Sequence, residues 1–294
     1  MDTTAAPNTP KSRALAAMDA VEIKVTIRPD QELRAERAME VNEDNAEVRV
    51  LYFYDTPDLH LFNAGVALRA RLVKGDADDS TVKFRPVEAA RISRDWEQLE
   101  GFKLEADCVG DRVVCSASLS AVQSRDEIDD VAKGKRSIDK LFSKDQERFL
   151  NEFYKGPVDF RRLRVMGPIR VLRWKLRHKN FPHELTLEEW RLPNGEDLVE
   201  VSIKVPPKKA PQAQKEFDKH LRNSVSTPKA PRRRRPAPPW STSPNAKGSP
   251  VVTLVRAARR VAATYNEYLN GHDRSTMGVA YVRLPLRGRG APVC

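Results

Sequence analysis

The chain has 294 residues, with 52 Lys and Arg against 41 Asp and Glu, a formal charge of +11. That length buries a real core, in one domain of about 200 residues with extensions or in two smaller ones, and the cationic surplus points to an anionic partner: nucleic acid, polyphosphate, nucleotide or membrane surface. No stretch approaches the roughly 20 apolar residues that span a bilayer. The first 17 residues hold no apolar run of the signal-peptide kind. Three cysteines, Cys108, Cys115 and Cys294, are an odd number without close Cys or His neighbours, which argues against a disulfide framework and a zinc site. A soluble protein of the reducing cytoplasm is the expectation.

Residues 1–17, rich in Ala, Thr and Pro, read as a leader without fixed structure. From Val21 the text alternates strictly: in VEIKVTI, Val21, Ile23, Val25 and Ile27 oppose Glu22, Lys24 and Thr26. DQELRAERAMEV then reads as a short helix. The strand VRVLYFYD is closed by the turn signal DTPD. In GVALRARLV, Val66, Leu68, Ala70 and Leu72 oppose Arg69 and Arg71; in TVKFR, Lys83 and Arg85 share a face; in FKLEADCV, Glu105 and Asp107 oppose Leu104, Ala106 and Cys108.

The period of two lapses over residues 116–165. SIDKLFSKDQERFLNEFY reads as a helix with the apolar stripe Leu141, Phe142, Phe149, Leu150 and Phe153. Strands resume with IRVLRWKLR, which sets Arg173 and Lys175 against Leu172, Trp174 and Leu176. ELTLEEWRL and LVEVSIKV follow, joined by PNGED, whose Asn-Gly pair is a strong hairpin signal. Residues 206–249, Pro-rich and carrying the run Arg232–Arg235, read as a linker with a short helix near QAQKEFDKHL. Residues 250–294 read as one further helix and a basic tail.

The polar faces hold Glu22, Lys24, Arg69, Arg71, Lys83, Arg85, Glu105, Asp107, Arg173, Lys175, Glu188, Glu200 and Lys204, while the opposite faces are apolar. One sheet face in water explains any single strand of this kind. Seven such strands favour a different solution, in which helices cover the apolar side from outside and the sheet closes on its charged side. The fold expected over residues 18–205 is therefore α+β, an eight-stranded antiparallel closed barrel with helices packed outside. A barrel of that size is wide enough for one small ligand. A cation-lined interior calls for a polyanion, and carboxylates among the cations are the oxygen ligands that Mg²⁺ or Mn²⁺ prefer.

VEIKVTI, YFYDTPDLHLFNAGVALRARLV, TVKFR and a late E-x-x-x-K strand after the PNGED hairpin together resemble the CYTH family, also called triphosphate tunnel metalloenzymes. The resemblance covers roughly residues 18–205. The segment LFSKDQERFL…LRVMGPIRVLRWKLR also resembles the middle of longer bacterial members. The family's fold is an eight-stranded tunnel. Its members hydrolyse inorganic or organic triphosphates or, in the class IV adenylate cyclase branch, cyclise ATP.

Carried over by position, the resemblance implies phosphate binding by Lys24, Arg69, Arg71, Lys83 and Arg173. Arg85 stands at a position that varies in the family, and Lys175 joins as a lining residue. It implies a metal, Mg²⁺ or Mn²⁺, at Glu22, Glu200 and Glu188, water orientation by Glu105, and catalytic parts for Lys24, Arg71 and Glu105. Two positions depart from the family pattern. Ala20 stands where the first Glu of Glu-x-Glu-x-Lys belongs, with Asp19 on the opposite face, and Ser202 stands where the last strand often has a second acid. The resemblance therefore implies a metal-dependent triphosphatase, with a class IV-type adenylate cyclase as one alternative and, given these two departures, a non-catalytic triphosphate- or polyphosphate-binding module as the other. His60, His178, His183, His220 and His272 show no metal spacing. Arg232–Arg235 adds a salt-sensitive route to nucleic acid or polyphosphate.

Overall fold

The computed structural model describes residues 18–27, 36, 39–109, 112–192, 195 and 197–225. The leader 1–17, nearly all of the helix expected at 30–41, the run Arg232–Arg235 and residues 250–294 lie outside the described residues, as does the side chain of Cys108.

Nine strands form a closed barrel: β1 (Ala20–Ile27), β2 (Glu47–Asp55), β3 (Val66–Val73), β4 (Asp78–Phe84), β5 (Phe102–Val109), β6 (Arg112–Gln123), β7 (Arg164–Leu176), β8 (Leu185–Arg191) and β9 (Asp197–Val205). Around the barrel they run β1-β5-β6-β4-β3-β2-β7-β8-β9 and back to β1. The closed barrel agrees with the sequence reading, with one strand more than the eight expected. The added strand is β6. Its inward residues Ser116, Ser118 and Ser120 alternate with Ala117, Leu119 and Ala121, a contrast too weak to register as period two. All neighbours pair antiparallel except β1 and β5, which run parallel with Ala20 opposite Glu105 and Glu22 opposite Asp107. That pair closes the circle between strands about 85 residues apart, and no local pattern announces it.

The main core lies outside the barrel wall. Leu68, Ala70, Val82, Phe84, Leu104, Leu119, Leu172 and Trp174 are buried against the helices. Among the described residues five helices border the strands: α1 (His60–Asn63), α2 (Arg94–Glu97), α3 (Arg125–Ala132), α4 (Lys144–Phe153) and α5 (Ala210–Val225). The helix read over 137–154 begins as a 3₁₀ turn at Ile138–Leu141, and the α-helix restarts at Lys144 behind a Ser143–Gln146 capping box. Gln146, fully buried, donates from its amide to the carbonyls of Ser80 and Leu119, 3.0 Å each, and so pins α4 across β4 and β6. Phe149 completes the attachment with edge-on contacts to Phe84, Trp96 and Phe102. The short helix read near Gln212–Leu221 lies within the longer α5, of 16 residues, with Ala213, Phe217 and Leu221 buried.

The DTPD turn has a local explanation. Asp55 accepts from the backbone of Thr56 and Leu61 through Oδ1 and of Phe62 through Oδ2, at 2.7–2.9 Å, tying α1 to the end of β2. Gly65, at φ +80°, follows at the start of β3; a Cβ there would meet the Arg85 carbonyl oxygen at 2.6 Å, so this close approach requires glycine. A smaller apolar cluster uses the inner faces. Leu51, Phe53, Ile169 and Val171, with Trp190 and Leu198 beside them, fill one side of one barrel end.

Cys115 is buried and disulfide-bonded. The cysteine count had argued against a disulfide framework; an odd total still leaves room for one bridge. No helix among the described residues is long and apolar enough to cross a membrane.

Candidate functional site

The period of two sends one face of every strand inward, and the inward faces enclose a cavity of about 540 Å³. Lys24, Arg49, Arg69, Arg71, Lys83, Arg85, Lys103, Arg173, Lys175 and Lys204 line it, against the acids Glu22, Glu105, Glu184, Glu188 and Glu200. All eleven site residues expected from the sequence line this one cavity. Ten cations to five acids leaves an excess positive potential that a polyanion neutralises.

The cations are held in three groups. On β1, the Lys24 ammonium lies 2.9 Å from Glu22, 3.5 Å from Glu200 and 3.9 Å from Asp107. Burial lowers its basicity, but Glu200 and Glu22 outweigh burial and raise it. Burial likewise raises Glu22, and the charge and hydrogen bond of Lys24 more than offset this, leaving the carboxyl at about 2. Arg85 pairs with Asp107, and Lys204 pairs with Glu105.

On β2 and β7, Arg173 lies 3.4 Å from Glu47 and 3.8 Å from Glu188, and Arg49 joins the same two carboxylates. Glu188 therefore faces guanidinium groups, and it also accepts from the Trp190 indole at 3.1 Å. Lys175 lies at the exposed rim.

On β3 and β4, Arg69 stands opposite Thr81 and Arg71 opposite Asp79. Arg69 Nη2 donates to Thr81 Oγ1 at 3.2 Å, and Arg71 Nε donates to Asp79 at 2.8 Å. Burial and the neighbouring Arg71 push the Arg69 guanidinium down to about 10. Its Nε is buried with no hydrogen-bond partner, the kind of orphaned donor that an anion's oxygen satisfies.

Lys83 makes no ion pair among the described residues. Burial, then the charges of Arg85 and Lys24, hold its ammonium down to about 7. An anion beside it restores the proton, so binding takes up a proton above pH 7. Affinity for tripolyphosphate is expected to be highest below pH 7 and to fall ~10-fold or more between pH 7 and 9. Titration calorimetry at both values checks this. Lys83→Arg, which stays charged, removes this part of the decline and leaves only the ligand's own titration.

Sequence reasoning missed Arg49 and Glu47, because β2 turns apolar residues to both faces and its Arg49 looked isolated. It also missed Thr81, Ser118 and Ser120, which line the wall without charge, and Asp79. At Ala20 no acid enters the cavity. Asp19 instead accepts from the Leu104 backbone amide at 2.8 Å, fastening β1 to β5. Ser202, buried, stands opposite Lys24. His60 is exposed, and His178 and His183 meet His220 and Glu216 of α5, away from the cavity residues.

Among the described residues no group of three His, Cys, Asp or Glu side chains is placed to hold a metal ion. Glu22 and Glu200 do converge, on Lys24. Two carboxylates suit a magnesium ion that keeps water and phosphate oxygens as its other ligands; they do not make an all-protein cage.

No family model and no curated protein matches the sequence. Among solved structures the chain is similar to a candidate adenylate cyclase from Bacillus halodurans, at 15% identity and a TM-score of 0.49, over 74% of this chain and 94% of that one. It is similar to a candidate adenylyl cyclase from Hippeastrum with a dominant triphosphatase activity, at 16% identity and a TM-score of 0.46, over 68% and 86%. A third similar chain, at 11% identity and a TM-score of 0.36, is a candidate adenylate cyclase from Vibrio parahaemolyticus, with 69% and 87% covered.

Proposed function

We propose that the chain is a triphosphate tunnel protein of the CYTH type that hydrolyses an inorganic or organic triphosphate with the help of Mg²⁺ or Mn²⁺. The observation that carries this reading is the cavity inside the barrel with ten cationic side chains on five or more strands around it. The sequence resemblance over residues 18–205 points the same way.

Phosphoryl transfer asks a protein for alignment and charge neutralisation more than for covalent chemistry. Arg69, Arg71, Arg49 and Arg173 converge from β3, β2 and β7, so neighbouring phosphates are gripped from adjacent walls. Planar guanidinium forks suit oxygen pairs, and Lys24 and Lys83 serve as compact charges. Hydrolysis transfers a phosphoryl group of the triphosphate to water, forming one P–O bond to the water oxygen and breaking the P–O bond to the phosphate that leaves. Glu105 is kept ionised because Lys204 donates to it and opposes the effect of burial, which leaves an acceptor able to orient that water. Glu22 and Glu200 would hold a divalent ion arriving with the triphosphate, and the ion would supply further neutralisation of phosphate charge.

A second reading, binding without turnover, is favoured by Ala20 and Ser202, which leave the wall two acids short. Incubation of the purified protein with tripolyphosphate, ATP or thiamine triphosphate and Mg²⁺ or Mn²⁺ separates the readings. Phosphate release that chelator abolishes is expected. Tight binding without turnover establishes the second reading, pyrophosphate with a cyclic nucleotide establishes a cyclase, and absence of both binding and turnover overturns the tunnel assignment.

A further inference from the structure

Asp79 is an acid that the tunnel reading does not use, and it is 7% exposed. Its Oδ2 accepts from both Arg71 Nε and Arg71 Nη2. Its Oδ1 accepts from Thr81 Oγ1 at 3.1 Å. Thr81 Oγ1 in turn accepts from Arg69 Nη2 at 3.2 Å and meets Ser120 Oγ at 3.0 Å. One carboxylate thus fixes two guanidinium groups, Arg71 directly and Arg69 through a hydroxyl and a longer ion pair of 4.0 Å. The two arginines are two residues apart on β3 and repel each other, and Arg71 is among the causes that weaken the Arg69 guanidinium.

We propose that Asp79 is a positioning residue for anion binding, holding Arg71 and, through Thr81, Arg69 in one preset orientation toward the tunnel. This rests on the reading of the cavity as a polyanion site. Asp79 spends the Nε and Nη2 edge of Arg71 and leaves Nη1 for a ligand oxygen. On Arg69 the bond to Thr81 engages Nη2 and leaves the buried Nε. Without these bonds each long side chain samples other rotamers and must be ordered by the ligand itself, which weakens binding.

The sign of one substitution separates positioning from plain electrostatics. A carboxylate beside an anion site repels the anion, so charge alone predicts that Asp79→Asn tightens binding. Positioning predicts the opposite, a loss of about 10- to 100-fold, the scale of one or two charge-assisted hydrogen bonds. The experiment is titration calorimetry of the full chain with tripolyphosphate. Thr81→Val, which leaves the Asp79–Arg71 pair and removes the hydroxyl that joins Asp79, Arg69 and Ser120, gives the same test if Asp79→Asn does not fold, with an expected loss of roughly 3- to 10-fold. Asp79→Glu, which keeps the acceptor, is expected to recover part of the affinity. Unchanged or tighter binding in folded Asp79→Asn, or in Thr81→Val where the former does not fold, overturns the positioning role while wild-type binding upholds the cavity reading. Absence of wild-type binding overturns both.

Discussion

Replacing Arg71 with alanine is expected to lower the kcat/KM for tripolyphosphate by about 100-fold or more, the scale of losing one preorganised donor to a transition-state oxyanion. Arg71 lies in the run of cations on β3, and its Nε is fixed at 2.8 Å on Asp79. Truncation removes the donor and also strips Asp79 of its cation. A carboxylate with only Arg69 left beside it, at 4.0 Å, then faces the incoming anion, so the loss exceeds that of the guanidinium alone. Arg71→Lys restores charge without the fork and should recover only part of the activity.

The same argument makes a double substitution informative. In the wild type Asp79→Asn is expected to weaken binding, whereas in the Arg71→Ala background the loss should shrink or reverse, since the carboxylate there holds only Arg69 and its repulsion of the anion weighs more. Steady-state kinetics and calorimetry on the four proteins measure this coupling. Wild-type-like turnover in Arg71→Ala would remove the tunnel from the mechanism.

Arg71 was legible in the sequence because β3 alternates cleanly between Leu or Ala and Arg. The same contrast exposed Lys24, Lys83, Glu105, Arg173 and Glu200, so most of the charged wall followed from period two alone. Asp79 was not legible. The segment Asp76–Ser80 is rich in a residue that strands disfavour and that turns favour, so the strand appeared to start at Thr81. The available signal was parity: Asp79 is in step with Thr81, Lys83 and Arg85 and so faces inward once β4 begins at Asp78. The strand β6 escaped for the opposite reason, since its inward serines carry no charge to mark them. Arg49 escaped because the inward Leu51 and Phe53 erase the contrast along β2. Patterning thus reveals a polar interior where its lining is charged and conceals it where the lining is small or apolar. The parallel β1–β5 closure depends on contacts remote in sequence, which no period encodes.

Lys24→Ala is expected to cost stability as well as function. The ammonium is shared by Glu22 at 2.9 Å and Glu200 at 3.5 Å, and Glu200 is buried. Removing it leaves two neighbouring carboxylates without the ammonium they share, with the Arg85 guanidinium still acting on both. Breaking a buried ion pair by deleting one partner costs about 3–5 kcal/mol, and the partial exposure of Glu22 places this case near about 3 kcal/mol. The pH dependence identifies the cause. In the wild type the Glu22 carboxyl lies at about 2, below its ordinary 4.5, so its contribution to stability is fully present above pH 4.5 and is lost as pH falls toward 2. In Lys24→Ala the effect of burial is no longer opposed by Lys24, and the carboxyl shifts upward. The penalty is then largest at neutral pH and shrinks as acid neutralises Glu22. Denaturant unfolding at pH 7 and pH 5, in chelator so that no divalent cation substitutes for the ammonium, should show the gap between variant and wild type narrowing at pH 5. A gap that stays constant would mean that Lys24 stabilises the barrel by packing its stem rather than by its charge, and that the two acids tolerate each other without it.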